Sequence, residues 1–434
     1  MRGQPIVARA PLWARNSPSQ RQGWDNLVAT AALLALAATI LAGAASVVVF
    51  IFAALSLFAL RPGESARTLF RFTPLLLIAI MALVSTIWSD APQRTARAAI
   101  QLFLTMMAAV LVCRRIEGRQ LVLTLFLAFF AISLTALPFL GRDLAHGGGW
   151  KGLFESKNQL GMNLHLVFAL GLAVLADRSQ AAWARWFALA VIPLSVVALP
   201  LTQSGTAMTS AGVTLLLFPL LLLFGRIPIS GRIALAILGV IVVGVALALL
   251  PQILDAIGDF RQNVLKKDAT LTGRTYLWEY AARLTAERPL LGHGYYAFWR
   301  QGNLDAEGLW RWGGIASRGG FNFHNAFVEM KVDMGYLGQA LLIASCAFLA
   351  LAALYRQLTQ PSVIIAFFAS LQIVLYLRSF SETGLIAPFS LLTVLWVASG
   401  VYALSDRQGS HPTRHKPRRQ LSRRERYVRD PARR

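Results

Sequence analysis

The chain has 434 residues, of which 56% are hydrophobic and only 14% charged, and its mean hydropathy is +0.55. This composition excludes an ordinary soluble domain, in which roughly 25% of residues are charged. The formal net charge is nevertheless +22, because Lys and Arg are concentrated at the two ends and between apolar runs. Beside so many apolar runs, basic ends predict retention in the cytoplasm and attraction to anionic lipid, rather than nucleic-acid binding.

Apolar runs of about 17 to 22 residues predict an all-α membrane protein with about twelve transmembrane helices. The first two runs are continuous, and we divide them at residues 41–46 because one unbroken helix would overshoot the bilayer. No cleavable signal peptide is evident, so the first span is expected to remain as an anchor. Cys113 and Cys346 lie in or beside apolar runs, which predicts neither a disulfide nor a metal site. The predicted spans are near 26–43, 45–60, 72–89, 98–113, 120–140, 159–176, 184–202, 207–225, 233–250, 336–355, 361–378 and 385–404.

The short loops between these spans indicate the orientation. Arginine occurs in every second loop, and the positive-inside rule assigns those loops to the cytoplasm. Both termini are then cytoplasmic, the protein lies in a bacterial inner membrane, and the large loop between the ninth and tenth spans is periplasmic. The arginine-bearing loops are 61–71, 114–119, 177–185, 226–232 and 355–360. The predicted regions are a basic segment at 1–25, helices at 26–250, the large loop at 251–332, helices at 333–404 and a disordered basic tail at 405–434.

The large loop contains a predicted amphipathic helix at residues 272–284. Leu277, Tyr280, Ala281 and Leu284 share one face at the i, i+3, i+4, i+7 spacing of a helix. Pro289 ends the helix. The aromatic residues that follow either stack on sugar faces or form a belt at the membrane interface. They are Tyr295, Tyr296, Phe298, Trp299, Trp310 and Trp312.

Five short motifs occur in a characteristic order. They are Trp150 to Phe154 with Lys157, Asn158 and Gly161; Leu271 to Thr275 with Trp278; Arg288 to Gly292 with Gly294, Phe298 and Trp299; His324-Asn325 with Gly335 and Gly338; and Arg378 to Glu382. From the third span to the last, this pattern resembles the O-antigen ligase and polymerase superfamily, and within it the exopolysaccharide polymerases of the ExoQ type. One segment departs from the pattern. Many ligases have an arginine after the serine where this chain reads Gln203-Ser204-Gly205-Thr206, so one cation fewer is available for a diphosphate.

The resemblance implies a glycosyltransferase that moves a glycan from undecaprenyl diphosphate to a sugar hydroxyl on the periplasmic face, without a cofactor. It implies that Arg274 stabilises the diphosphate leaving group through bidentate hydrogen bonds; the alternative is an ion pair with Glu279. His324 is the candidate general base, since a neutral imidazole accepts the proton of an attacking hydroxyl. Predicted substrate-binding residues are Lys157, Asn158, Arg288, Arg318, Asn325, Arg378 and Glu382.

Several of these residues also have a simpler interpretation. Lys157 either contacts a phosphate or sugar or extends its charge to the membrane interface. Arg378 and Glu382 either line the glycan site or pair with each other.

Other polar residues of the chain are expected to have no catalytic role. His165 and His293 are interpreted as structural. Asp305 and Glu307 are the nearest to a pair of metal-binding carboxylates, but we expect them to be solvated, which predicts a metal-independent reaction.

Two other functions also fit the sequence. A polymerase joins lipid-linked repeat units, whereas an O-antigen ligase transfers the finished glycan to lipid A-core. A transporter or lipid flippase would also have many spans, but transporters tend to show repeated halves and ionisable residues at the membrane midplane. The predicted partners are the glycan on undecaprenyl diphosphate, an acceptor glycan or lipid A-core, membrane lipids, and a chain-length regulator and flippase of the same pathway, with no nucleic acid.

Overall fold

The computed structural model describes residues 18–136, 141–143, 148–249 and 273–405, and these are mainly α-helical, as predicted. Within these ranges the strands form one antiparallel hairpin of β1 (Arg142–Asp143) and β2 (Gly149–Trp150). The helices are α1 (Pro18–Ala37), α2 (Thr39–Leu60), α3 (Pro62–Arg71), α4 (Thr73–Val84), α5 (Pro92–Arg115), α6 (Gly118–Ala136), α7 (Lys157–Ala176), α8 (Ala182–Leu201), α9 (Gly205–Phe224), α10 (Ile229–Ala248), α11 (Arg274–Glu287), α12 (Leu304–Trp312), α13 (Ala326–Thr359), α14 (Val363–Ser379) and α15 (Leu391–Leu404).

Seven helices in the described part of the chain are long and apolar enough to cross a membrane. They lie in α2, α5, α6, α7, α8, α9 and α13, and each coincides with a predicted span. The span predicted at 72–89 begins with α4, which forms with α3 a pair bent by 88°, and the spans predicted at 233–250, 361–378 and 385–404 fall on shorter apolar helices. The span predicted at 26–43 falls on α1, which is not among the seven. The chain is a multi-pass membrane protein, and the count of twelve spans stays a prediction.

The first long apolar run is broken, as its small residues predicted. α1 ends at Ala37, and Gly43 within α2 has non-helical angles, with φ 49° and ψ −127°. The break therefore begins just before the predicted segment 41–46 and extends into it. α1 and α2 pack against each other as neighbouring helices.

The arginine-bearing loops contact one another. Arg115 pairs with Glu64 at 2.9 Å, Gln180 donates to the carbonyl of Arg119 at 2.8 Å, and Arg232 donates to the carbonyl of Leu358. The first two contacts join the loops 61–71, 114–119 and 177–185, and the third joins the loops 226–232 and 355–360. Loops that the charge rule assigned to the same side of the membrane are thus neighbours in the structure.

The large loop, described here from residue 273 onward, has a hydrophobic core of its own. Leu277, Ala281 and Leu284 of α11 are buried, which confirms the predicted amphipathic face. They pack in one cluster with Phe298, Ala306, Leu309, Trp310, Phe323 and Val332. α11 ends at Glu287, shortly before Pro289, where proline was expected to stop it.

The large loop is fastened to a kink in α13. Met334 and Gly335 have non-helical angles, and the backbone groups that this kink releases bond to the loop instead. The N–H of Tyr336 donates to the carbonyl of Pro289 at 2.7 Å, and the N–H of Gly294 donates to the carbonyl of Asp333 at 2.8 Å. Gly335 has a φ of 66°, and a Cβ there would lie 2.3 Å from the Leu290 carbonyl. Glycine at this position therefore permits the close approach of loop and helix.

Candidate functional site

Polar side chains from distant parts of the chain meet at the C-terminal end of α14. Asn158, in the first turn of α7, donates through Nδ2 to Oε1 of Glu382 at 3.1 Å. Ser204, which caps α9, donates through Oγ to Oδ1 of Asn158 at 2.9 Å. Arg378 in the last turn of α14 and Arg274 at the start of α11 lie close enough to Glu382 to act on its charge. We call these five residues the Arg378 cluster.

The close approach of α7 and α9 in this cluster depends on a small residue. A Cβ at Gly161 would lie 2.8 Å from Cβ of Ala207 and 3.0 Å from Cβ of Ser204. Any larger residue at position 161 would push α9 away from α7. Gly161 therefore allows Ser204 to reach Asn158.

Arg378 is buried without hydrogen bonds at two of its nitrogens. Only 9% of the residue is exposed. Its Nε and Nη1 are buried and have no hydrogen-bond partner among the described residues. A buried guanidinium without partners lowers stability. The N–H groups of Nε and Nη1 are donors from which a phosphate or carboxylate can accept hydrogen bonds.

Glu382 connects Arg274 to the cluster. Burial raises the pKa of the Glu382 carboxyl above its ordinary value, and the positive charges of Arg378 and Arg274 partly oppose this increase. Within the described ranges, Arg274 forms no ion pair with Glu279, which was the alternative to a functional role. The structure thus joins Asn158 to Glu382 by a hydrogen bond and places Arg274 and Arg378 within electrostatic reach of the same carboxyl group.

His324 lies in the turn that leads into α13. Its φ is 51°, and its backbone N–H donates to Oδ1 of Asn322 at 2.8 Å. Asn325 caps α13, because its Oδ1 accepts from two N–H groups of the first turn at 2.9 and 3.1 Å. The Asn325 amide also donates to the carbonyl of Phe380 at 3.4 Å, which joins the His324 turn to the segment that carries Glu382. The predicted role of Asn325 in substrate binding stays untested, but its cap shows a structural role.

A cavity of about 680 Å³ opens beside the His324 turn. Ligand pockets typically measure about 300 to 1,000 Å³. We call it the loop cavity, since the large loop forms much of its lining, together with the start of α13 and the segment 383–386. Its aromatic lining includes Tyr296, Trp299, Trp310 and Phe321, and its charged lining residues are Arg94, Arg300, Arg318, Glu329 and Asp333.

Arg288 and His293 share a carboxylate away from the Arg378 cluster. Arg288 Nη1 lies 2.7 Å from Oδ1 of Asp90, and His293 Nδ1 lies 2.8 Å from Oδ2. His293 Nε2 is also 3.2 Å from the carbonyl of Leu284. We call Asp90, Arg288 and His293 the Asp90 cluster. It fastens the large loop to the connection between α4 and α5, which agrees with a structural His293.

The other predicted residues are separated from the Arg378 cluster or packed beside it. Arg318 lines the loop cavity and pairs through Nε with Glu307 at 3.3 Å. The Lys157 side chain packs against the backbone of Gly149, so that a Cβ there would lie 2.9 Å from Lys157 Cδ. His165 is fully buried, with Nε2 2.9 Å from Oγ1 of Thr214, as expected for a structural histidine.

The prediction that Asp305 and Glu307 are solvated is wrong. Asp305 accepts a hydrogen bond from the Tyr280 hydroxyl, and Glu307 pairs with Arg318. The hydrogen bond to Asp305 is the main cause that raises the pKa of Tyr280 to about 12. These carboxylates fasten α12 to neighbouring parts of the large loop. In the described residues, no three His, Cys, Asp or Glu side chains are grouped as metal ligands.

Sequence reasoning missed the carboxylates of the loop cavity. Glu329 accepts from Trp299 Nε1 at 2.8 Å and from the N–H of Phe323 at 2.9 Å. Asp333 accepts from the N–H of Tyr296 at 3.0 Å. Two acidic residues four positions apart at the start of an apolar helix are a signal that could have identified them.

Comparison with known proteins agrees with the resemblance seen in the motifs. The family model described as O-antigen ligase matches residues 188–343, which extend from α8 through the large loop into α13. The exopolysaccharide production protein ExoQ of Rhizobium meliloti (strain 1021) is 31% identical over 322 residues, which cover 71% of this chain and 72% of that protein. The chain belongs to the O-antigen ligase family of membrane enzymes of polysaccharide biosynthesis.

Proposed function

We propose that this protein is a membrane glycosyltransferase that polymerises oligosaccharide repeat units carried on undecaprenyl diphosphate. The observation that carries the proposal is Arg378, whose buried Nε and Nη1 have no hydrogen-bond partner among the described residues. Arg274 adds a second positive charge that acts on Glu382, as the charge of Arg378 does. Two guanidinium groups at one place suit a diphosphate, which carries several negative charges.

In the proposed reaction, the acceptor hydroxyl oxygen forms a bond with the anomeric carbon of the donor glycan. The bond from that carbon to the diphosphate oxygen breaks, and its electron pair stays on the diphosphate. Arg274 and Arg378 stabilise the developing charge, so the site needs no metal ion for this purpose. His324 takes the proton from the attacking hydroxyl. The family resemblance implies inversion at the anomeric carbon.

We propose twelve spans in a bacterial inner membrane, with both termini in the cytoplasm and the large loop in the periplasm. The contacts between arginine-bearing loops support this arrangement, because the positive-inside rule assigns such loops to the cytoplasm. The Arg378 cluster involves other connections, those before α7, α9, α11 and after α14. A periplasmic reaction has no ATP, and a lipid diphosphate supplies the energy as leaving group.

The alternative within the family is an O-antigen ligase, the activity named in the description of the matching family model. Deletion of the gene separates the two. Loss of long chains while single repeat units still reach the surface indicates a polymerase. Accumulation of long chains on the carrier lipid, with none on lipid A, indicates a ligase. A flippase and a chain-length regulator of the same pathway are proposed partners.

The test of the site uses the full chain in proteoliposomes with lipid-linked repeat units. Arg274→Ala and His324→Ala are each expected to lower the elongation rate about 100-fold or more. Arg283→Ala is the matched control, because Arg283 is exposed on the same helix as Arg274. Wild-type rates in both site variants would refute the proposed site, and loss of activity on chelation would refute the metal-independent reaction.

A further inference from the structure

The loop cavity is lined by ionisable groups of both kinds. Three of its lining residues carry guanidinium groups, and two carry carboxyl groups. The guanidinium groups belong to Arg94, Arg300 and Arg318, and the carboxyl groups to Glu329 and Asp333. Arg318 also pairs with Glu307. The cavity therefore offers many hydrogen-bond donors and acceptors.

The arginines of the cavity are held in place by other bonds. Arg94 donates through Nε to the carbonyl of Tyr296 at 2.9 Å, and Arg300 donates through Nη1 to the carbonyl of Ala297 at 2.8 Å. Each guanidinium is thereby oriented through one nitrogen. The other nitrogens of Arg94 and Arg300 make no hydrogen bond within the described ranges and remain as donors for a ligand.

Aromatic rings form another part of the cavity. Trp299 is central, with its ring centroid 6.1 Å from that of Trp310 and 5.4 Å from that of Phe321. Its indole N–H is bonded to Glu329, so the orientation of the ring is held in place. Flat rings beside paired donors and acceptors match the chemistry of a sugar, which has apolar C–H faces and polar hydroxyl edges.

We propose that the loop cavity binds the acceptor oligosaccharide and presents its hydroxyl to the donor glycan held at the Arg378 cluster. This assignment rests on the proposed function. Two segments of the chain contribute to both sites. The connection 380–386 carries Glu382 and lines the cavity at Thr383. The turn before α13 carries His324 and lines the cavity at Asn322. The turn that carries His324 is thus connected to both sites, because Asn325 also donates to the carbonyl of Phe380.

The chemistry of the lining separates the two substrates in this arrangement. The Arg378 cluster has two guanidinium groups and no aromatic ring, which suits a diphosphate. The loop cavity combines its arginines with aromatic rings and with the acceptor oxygens of Glu329 and Asp333. Sugar hydroxyls can donate to these oxygens while accepting from Arg94 and Arg300.

The test measures binding of two probes to the full chain in nanodiscs by calorimetry. One probe is the repeat-unit oligosaccharide, released from the exopolysaccharide of the source strain and free of lipid and phosphate. The other is inorganic pyrophosphate. Arg94→Gln and, independently, Arg300→Gln are expected to raise Kd for the oligosaccharide about tenfold and to leave Kd for pyrophosphate unchanged.

Arg97→Gln is the matched control, since Arg97 is exposed one turn beyond Arg94 on α5 and does not line the cavity. This variant is expected to bind both probes like the wild type. A rise in Kd for pyrophosphate alone would overturn the proposal, as would unchanged oligosaccharide binding in both variants or no oligosaccharide binding by the wild type. Two variants in different elements keep the test decisive if one of them fails to fold.

A separate assay distinguishes failure of the subsite from failure of the proposed function. Elongation of lipid-linked repeat units is measured with the wild-type chain in proteoliposomes. Elongation together with Arg94-independent sugar binding would refute the subsite alone. Absence of elongation together with Arg94-dependent sugar binding would refute the polymerase and leave a glycan-binding cavity.

Discussion

The Asp90 cluster and the Arg378 cluster both combine arginine with a carboxylate, but they hold their arginines in opposite ways. Arg288 is 46% exposed at its side chain and lies 2.7 Å from Asp90. It also donates to the carbonyl of Trp88 at 3.3 Å. Arg378 is 9% exposed, and its Nε and Nη1 lack hydrogen-bond partners in the described part of the chain.

This difference in exposure and bonding distinguishes an arginine that joins two parts of the fold from an arginine that suits a ligand. An exposed ion pair such as that of Arg288 contributes little, and it needs no compensation from the rest of the protein. A buried arginine with unsatisfied nitrogens is destabilising, so packing elsewhere must compensate for it. Such groups are concentrated at functional sites. The comparison therefore supports a substrate role for Arg378 and a fastening role for Arg288.

The largest effect expected from this comparison is on activity. Arg378→Gln should lower the elongation rate about 100-fold, since one charge-stabilising donor contributes about 10² to 10³ in rate. The variant should remain folded, because glutamine removes the buried charge. The measurement is single-turnover elongation in proteoliposomes, with insertion checked by size-exclusion chromatography.

Arg288→Gln supplies the other half of the comparison. Its elongation rate should stay within about threefold of the wild type, and its free energy of unfolding should fall by at most about 1 kcal/mol. A loss of activity in Arg288→Gln equal to that of Arg378→Gln would end the distinction between the two clusters.

A smaller effect is expected on stability. Arg378→Gln combined with Glu382→Gln replaces the buried charge of Arg378 and the half-buried charge of Glu382 with neutral groups, which is often neutral or stabilising. The melting temperature of this double variant in detergent should equal or exceed that of the wild type.

Asp90→Asn should lower the free energy of unfolding by about 2 kcal/mol, because it weakens the bonds to both Arg288 and His293. A double variant that melts well below Asp90→Asn would show that the Arg378 cluster is structural.

Most of the fold could be predicted from apolar periodicity. The seven long spans and α11 have continuous patterns, and the buried face of α11 has the predicted spacing. The bend between α3 and α4 could not be predicted, since Phe72 lies in an apolar run and Pro74 is acceptable in a first turn. The helix propensities of the residues near the bend do not determine the angle between the two consecutive helices.

The site was only partly predictable, because its geometry depends on long-range contacts. The motif resemblance identified Asn158, Arg274, Arg378 and Glu382, which the fold brings together. It did not identify Arg94, which lies about 200 positions before the loop residue that holds it, Tyr296. The sequence also showed the segment at Ser204 only as a departure from the family, whereas the structure bonds Ser204 to Asn158.

The smallest expected effect concerns the contact between α11 and α12 in the large loop. It tests whether this contact stabilises the fold, as the Asp90 cluster does. Tyr280→Phe removes the hydrogen bond to Asp305 and should lower the free energy of unfolding by about 1 kcal/mol at pH 8. The pKa of Tyr280 is raised to about 12 in the folded chain, mainly by this bond, against an ordinary value of 10.0. The stabilisation is therefore complete below pH 10 and is lost as the pH rises through 12. Melting temperatures of the wild type and Tyr280→Phe should differ at pH 8, and the difference should shrink as the pH rises from 10 through 12, while elongation at pH 8 stays the same. A difference that persists at high pH would assign the effect to packing of the ring rather than to the hydroxyl.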